Sequence, residues 1–251
     1  MTTSPDSLNG KVALITGAAR RIGAQIARTL HDAGMHVALH YRHSAGPVHA
    51  LCRELNAQRA DSSFAIAAEL CDSAALPALL RAAEQRWGRL DALINNASAF
   101  YPTPIGSVTE AQWSDLIDAN LKAPFFLSQL AAPALSSCKG CIVNITDIHG
   151  ERPLRDHSVY SISKAGLAMM TRALARELAP EIRVNGIAPG AIMWPESEMD
   201  EATRADILSR IALKRQGSPV DIARAVLFLL RDAPYVTGQI IAIDGGRSLS
   251  N

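Results

Sequence analysis

Apolar residues along this chain fall into two alternating rhythms. Short β-branched or apolar runs occupy 12–15, 37–40, 64–67, 93–95, 142–145, 184–187 and 240–243, and such lengths suit strands buried on both faces. Between them lie stretches in which apolar positions recur every three or four residues, as in "ALLRAAEQRW" (78–87) and "AGLAMMTRALARELA" (165–179). These predict amphipathic helices. The alternation predicts βαβ units in a doubly wound, Rossmann-type α/β domain: a seven-stranded parallel sheet with helices on both faces. No internal repeat, low-complexity tract or linker interrupts 1–251, so one domain is expected. The long irregular segment 189–210, "PGAIMWPESEMDEATRADILSR", carries prolines and an acidic cluster. It predicts a mobile loop with a short helix, placed to contact substrate.

Composition narrows the ligand. A chain of 251 residues that is 48% hydrophobic can bury one good core, while a net charge of +1 supplies no broad basic field for nucleic acid or anionic membrane. A small molecule is the expected partner. No apolar run reaches the roughly 18 residues of a membrane span, and "MTTSPDSLNGK" is not patterned like a signal peptide. A cytoplasmic location is therefore expected. The cysteines Cys52, Cys71, Cys138 and Cys141 form no regular framework; "CKGC" has redox or half-zinc spacing, but it runs into apolar "IVNI" without a second ligand pair. It reads as the approach to a buried strand.

In a doubly wound sheet, ligands bind beyond the carboxyl ends of the strands. The first strand ends at Thr16; Gly17 permits a tight turn, Gly23 lets the helix pack close to the strand, and amides at the helix start can meet a pyrophosphate. Two glycines alone are weak evidence. Further along stand "NNAS" (95–98), Asn120, "YSISK" (160–164), "PG" (Pro189, Gly190) and "DGG" (244–246). A tyrosine four residues before a lysine puts a phenol and an ammonium on one helix face, where the positive charge is expected to lower the phenol's pKa from near ~10. An isolated YxxxK would be no more than an exposed helical pair.

The order and spacing of these motifs, over the whole length, resemble the short-chain dehydrogenase/reductases. The resemblance implies that Tyr160 exchanges the proton, that Lys164 holds the nicotinamide ribose, and that Asn120 helps to hold a proton-relay water. It further places Gly17, Arg21, Ile22, Gly23, Tyr41, Asn96, Ala97, Ser98, Ile145, Pro189 and Gly190 against the cofactor. Family members usually form homotetramers through the helices that precede and carry the Tyr–Lys pair. A homotetramer is implied here in the same way.

Two departures narrow the substrate. Most members carry a serine thirteen residues before the tyrosine; here that position is Asp147, in "VNITDIHG". An ionised carboxylate accepts but cannot donate, and it would repel an alkoxide forming on a ketone. Reduction of a ring C=N is different, because the proton goes to nitrogen. A carboxyl kept protonated, or recharged through Tyr160 and water, can supply it. The alternative is that Thr146 does the serine's work and Asp147 faces solvent.

The second departure is Arg21, which stands where such loops usually carry glycine and could serve both the phosphates and the substrate edge. With Asp147, it makes the chain most similar to the pteridine reductase branch of the family. That branch sandwiches a pterin between the nicotinamide and an aromatic ring, here Phe100, beside Ser98; Tyr101 is the alternative exposed ring.

The second strand ends in "YRHS", so Arg42, His43 and Ser44 stand where NAD-dependent enzymes present an acid to the ribose. NADPH is expected. Which of Arg42 and His43 grips the 2′-phosphate stays open, and Glu69 with Leu70 would frame the adenine. The expected reaction is NADPH-dependent reduction of 7,8-dihydropterins to tetrahydropterins, with dihydrobiopterin, dihydromonapterin and dihydrofolate as possible substrates. The rivals are a carbonyl or 3-oxoacyl-carrier ketoreductase and a catalytically idle NADPH sensor.

Overall fold

A computed structural model of the chain describes residues 7–194 and 200–249. Seven strands form one sheet in the order β3-β2-β1-β4-β5-β6-β7. They are β1 (Val12–Ile15), β2 (His36–Tyr41), β3 (Ser63–Ala67), β4 (Ala92–Asn95), β5 (Cys141–Ile145), β6 (Arg183–Pro189) and β7 (Ile240–Ile243). Every neighbouring pair runs parallel. The apolar runs therefore mark all seven strands to within two residues at either end.

Alternate side chains along the strands feed two cores. Ala13, Ile15, Val37, Leu39, Ile94, Val143 and Ile145 pack towards α1 (Arg21–Asp32), α2 (Ala45–Gln58) and α8 (Pro219–Arg231). Val12, Leu14, Ala38, Leu93 and Ile142 pack the other way, towards α3 (Leu76–Gln85), α5 (Ala123–Ser137) and α6 (Ser158–Glu177). Burial on both faces explains why these strands read as continuous apolar runs rather than as alternating ones.

Order in the sheet reverses between β1 and β4. Chain leaving β1 turns towards β2, chain leaving β4 turns towards β5, and the diverging connections leave a crevice. On the β4 side, α4 (Glu110–Ile117) runs into α5 through a π turn, Asp118–Lys122. Such turns often occur at functional sites, and Asn120 lies within this one.

Within 189–210, α7 (Glu201–Ser209) is the short helix, capped by the Asp200 side chain on the Thr203 amide. Its 195–199 stretch lies outside the described residues. Cys141 opens β5 and is buried, with Cys138 before it in the turn. No helix among the described residues is long and apolar enough to cross a membrane.

Candidate active site

A cavity of about 730 Å³ opens at the carboxyl ends of the strands, over the switch point. Every residue placed against cofactor or substrate from the sequence lines it; Asn120, the alternative ring Tyr101 and the Asp-Gly-Gly motif do not.

The wall at β1 is built by reciprocal hydrogen bonds between two motifs. Thr16 Oγ1 accepts from the amides of Asn96 (2.9 Å) and Ala97 (3.0 Å), while Asn96 Nδ2 donates to the carbonyls of Thr16 (2.8 Å) and Gly17 (3.1 Å). The Thr-Gly turn and the Asn-Asn-Ala turn are thus one unit. A Cβ on Gly23 would run into Gly17 O and Asn96 Nδ2, so only glycine fits where α1 crosses this unit. At Arg21 φ is +54°, a left-handed conformation that glycine adopts freely and that any residue with a Cβ resists. Arginine therefore occupies a glycine conformation at the helix start. Its Nη2 reaches Trp194 O at 3.5 Å. No side chain caps α1 and no acid lies in its first turn, so its start can receive an anion.

At the β2 end, Arg42 Nε pairs with Glu69 Oε2 at 2.6 Å, both groups being largely solvent-exposed. Glu69 also accepts from the Cys71 amide at 3.1 Å. Arg42 is thus held by the residue expected beside adenine, whereas His43 makes no hydrogen bond among the described residues. Ser44 precedes α2 without capping it.

The opposite wall carries the phenol and the ammonium. Tyr160 and Lys164 stand one turn apart on α6 and are 4% and 2% exposed. Tyr160 Oη donates to Asp147 Oδ2 at 2.7 Å; Asp147 Oδ1 accepts from the His149 amide at 2.8 Å, which fixes the carboxylate. Lys164 Nζ donates to Ile145 O at 3.0 Å and lies 5.7 Å from the centre of the Tyr160 ring.

This geometry corrects the expected direction of the Tyr160 shift. Burial, then the Asp147 charge and its hydrogen bond, hold the phenol well above its ordinary pKa. Lys164 does not bring it down, because the carboxylate lies in direct contact. Burial instead lowers Lys164 to about 8, with Asp147 opposing. Tyr160 is therefore a neutral acid aimed at Asp147.

The remaining alternatives resolve on contacts. Thr146 and Asp147 both line the cavity, but Thr146 is buried and its hydroxyl is committed to Ile187 O at 2.9 Å, whereas the Asp147 carboxylate is joined to the Tyr160 hydroxyl. Phe100 is 52% exposed on the cavity wall, stacked on His157 (4.7 Å between ring centres) and edge-on to Tyr160 (4.7 Å). Tyr101 turns away and donates to Asp115 Oδ2 at 2.9 Å. Asn120 is fully buried: Oδ1 accepts from Ser98 Oγ (3.0 Å) and the Ala99 amide (2.8 Å), and Nδ2 donates to Ala99 O and Ser163 Oγ (3.0 Å each). Its side chain thus clamps 98–99 against α6 and has no capacity left to hold a relay water.

Sequence reading missed several wall residues. His149, Leu154, Trp194, Ile207 and Arg247 line the cavity without having been singled out, although His149 lies two residues after Asp147, Arg247 directly follows the Asp-Gly-Gly motif, and Trp194 and Ile207 fall within 189–210. His40 could have been found: it is the one polar residue in the predicted run 37–40.

Comparison with known proteins agrees with this geometry. A family profile described as enoyl-(acyl carrier protein) reductase matches residues 17–248. The chain is 36% identical to pteridine reductase 1 of Leishmania tarentolae over 291 aligned positions, covering all of this chain and 99% of that protein. It is 37% identical over 240 residues to 3-oxoacyl-(acyl-carrier-protein) reductase FabG of Staphylococcus aureus, covering 94% of this chain and 97% of that protein. Against the FabG of Thermotoga maritima the identity is 35% over 254 residues, covering 95% and 98%.

Proposed function

This chain belongs to the short-chain dehydrogenase/reductase family of oxidoreductases, and from that premise we propose that it is an NADPH-dependent reductase of dihydropterins. The observation that carries the reading is the Tyr160–Asp147 hydrogen bond of 2.7 Å, with a carboxylate standing where most of the family has serine.

Family members use nicotinamide dinucleotides, and the residues present fit one. The uncapped start of α1, with Arg20 and Arg21, suits the pyrophosphate; Lys164 suits the ribose hydroxyls; Glu69 and Leu70 suit the adenine. Arg42, His43 and Ser44 suit a 2′-phosphate better than a free hydroxyl. Bound and reduced, the nicotinamide supplies a hydride to a substrate ring carbon.

The chain's own side chains manage the proton. As the ring nitrogen becomes basic, the Tyr160 hydroxyl proton passes through the Asp147 carboxylate to that nitrogen in a single relay, and a proton from solvent then restores the phenol. Lys164 keeps a positive charge beside the pair while this happens. Phe100 offers a flat ring to a flat heteroaromatic, a contact worth about 0.5–1.5 kcal/mol beyond burial. Arg21 and Ser98 face the same space.

A second reading is a 3-oxoacyl-carrier ketoreductase, favoured by the comparable identity to the FabG proteins. Asp147 argues against it, since a carboxylate opposes the oxyanion of a reacting ketone. Side-by-side assays decide: NADPH oxidation with dihydrobiopterin is expected to exceed that with a 3-oxoacyl thioester by about a hundredfold or more in kcat/KM. The reverse order would make the protein a ketoreductase.

A further inference from the structure

Buried at the end of β2, His40 holds three chain segments at once. Its Nδ1 accepts from the Gly17 amide at 3.1 Å. Its carbonyl accepts from the Ala18 amide at 2.9 Å. Its Nε2 lies 3.1 Å from Ala68 O, next to Glu69. A backbone amide can only donate and a carbonyl can only accept, so both ring bonds form only when the imidazole is neutral with its proton on Nε2.

We propose that His40 is a positioning residue for the dinucleotide: a neutral imidazole clamp that holds the Gly17 turn to the segment carrying Glu69 and lets go when protonated. The proposal rests on reading the glycine turn as the cofactor's phosphate site.

Protonation would set a second N–H on Nδ1, pointing at the N–H of Gly17. The hydrogen bond would be lost and two donors would oppose each other. The turn has little room to adjust, since Gly17 sits at φ +62° and a Cβ there would come within 3.0 Å of Ala97 Cα and 3.2 Å of Asn96 Nδ2.

Charged groups around the ring are few. After β3, Glu69 favours the charged form; Cys71 follows it, with its thiol pushed up by burial. Arg42 and His43 lie on the His40 strand, Arg42 being paired with Glu69. The turn after β1 carries Arg20 and Arg21, and β1 itself carries no charge. Burial outweighs these influences and moves the imidazole below its ordinary pKa. The clamp is therefore closed at neutral pH and opens in acid.

The test is titration of the whole protein with NADPH and NADH, read by tryptophan fluorescence from pH 8 to pH 5, for the wild type, His40→Asn and His40→Leu. Asparagine puts a carbonyl oxygen near the Nδ1 position and has no proton to gain. Wild-type affinity is expected to fall by up to about tenfold per pH unit once the ring charges. His40→Asn is expected to stay within about threefold of wild type at pH 8 and to lose that acid dependence, whereas His40→Leu is about tenfold weaker throughout. Equal acid limbs in wild type and His40→Asn would overturn the clamp, because the two proteins share every other group at the site. Ring ¹⁵N shifts of the ligand-free protein give an independent reading: a charged ring, or a proton on Nδ1, at pH 7.5 would also overturn it. If neither dinucleotide bound while the ring shifts came out as expected, the cofactor reading would fall and the role of His40 towards the dinucleotide with it, and only the neutral Nε2–H ring would stand.

Discussion

The two ends of the cavity hold their polar groups in opposite ways. At the β2–β3 end, Arg42 and Glu69 pair with their side chains about half and two-fifths exposed, and His43 and Ser44 line the cavity beside them. At the α6 end, Tyr160, Lys164 and Asn120 are almost wholly buried and each is held by a short hydrogen bond. Water screens a charge pair at the first end, where such contacts contribute about 0–1 kcal/mol. Water is excluded at the second, so the same kind of contact sets which groups carry protons. One end suits recognition of a ligand that brings its own charges. The other suits chemistry.

If that contrast holds, the largest effects come from the buried end. Tyr160→Phe keeps the ring against Phe100 but removes the hydroxyl, and kcat with dihydropterin is expected to fall by about 10²–10⁴ while the dinucleotide Kd stays near wild type. Near-normal turnover would route the proton through Asp147 without Tyr160. Next comes Asp147→Ser, with an expected loss of about 10² in dihydropterin kcat/KM and a small gain on simple ketones, since a hydroxyl can donate to a carbonyl oxygen. Unchanged dihydropterin turnover would remove Asp147 as the substrate determinant and leave the ketoreductase reading ahead.

The pH profile sharpens the comparison from another side. Lys164 is lowered by burial to about 8, so its ammonium is present below that pH and lost above it. Activity is expected to decline through pH 8 to 9, towards about tenfold per unit. A rate that held steady to pH 9.5 would show that the Lys164 charge is not used.

Effects at the exposed end are smaller. NADPH is expected to be preferred over NADH by at least about tenfold in kcat/KM, or ~1.4 kcal/mol; equal values would overturn the reading of Arg42, His43 and Ser44. Smallest is Arg21→Gly. Glycine relaxes the left-handed φ of +54° and is expected to add about 1 kcal/mol of stability, or roughly 2–4 °C in Tm, while raising the NADPH KM. A lower Tm would mean that arginine is not strained at this position.

Legibility along the chain follows how local each cause is. The seven strands, the helix carrying Tyr160 and Lys164 and the two glycines of the first turn could all be read beforehand, because apolar period and turn chemistry act over a few neighbouring residues. Asp147 could also be found beforehand, but only through the resemblance to a family that usually carries serine thirteen residues before the tyrosine. Choosing between Phe100 and Tyr101 could not be done that way, since the choice rests on Asp115, fourteen residues further on, accepting from one of them.

The direction of the Tyr160 shift shows the limit most clearly. Four-residue spacing on a helix places Lys164 near the ring, and that much is local. Whether Lys164 or Asp147 governs the phenol depends on how close each comes and how dry the contact is, and β5 and α6 meet only when the sheet is assembled. The same holds for Asn120, whose amide is occupied by 98–99 and Ser163, and for His40, which joins the ends of β1, β2 and β3. Backbone period and turn geometry are properties of a segment, and the chain's own order of residues encodes them. Protonation state, hydrogen-bond partners and exposure are properties of a neighbourhood, and that neighbourhood exists only after distant segments have packed and expelled water.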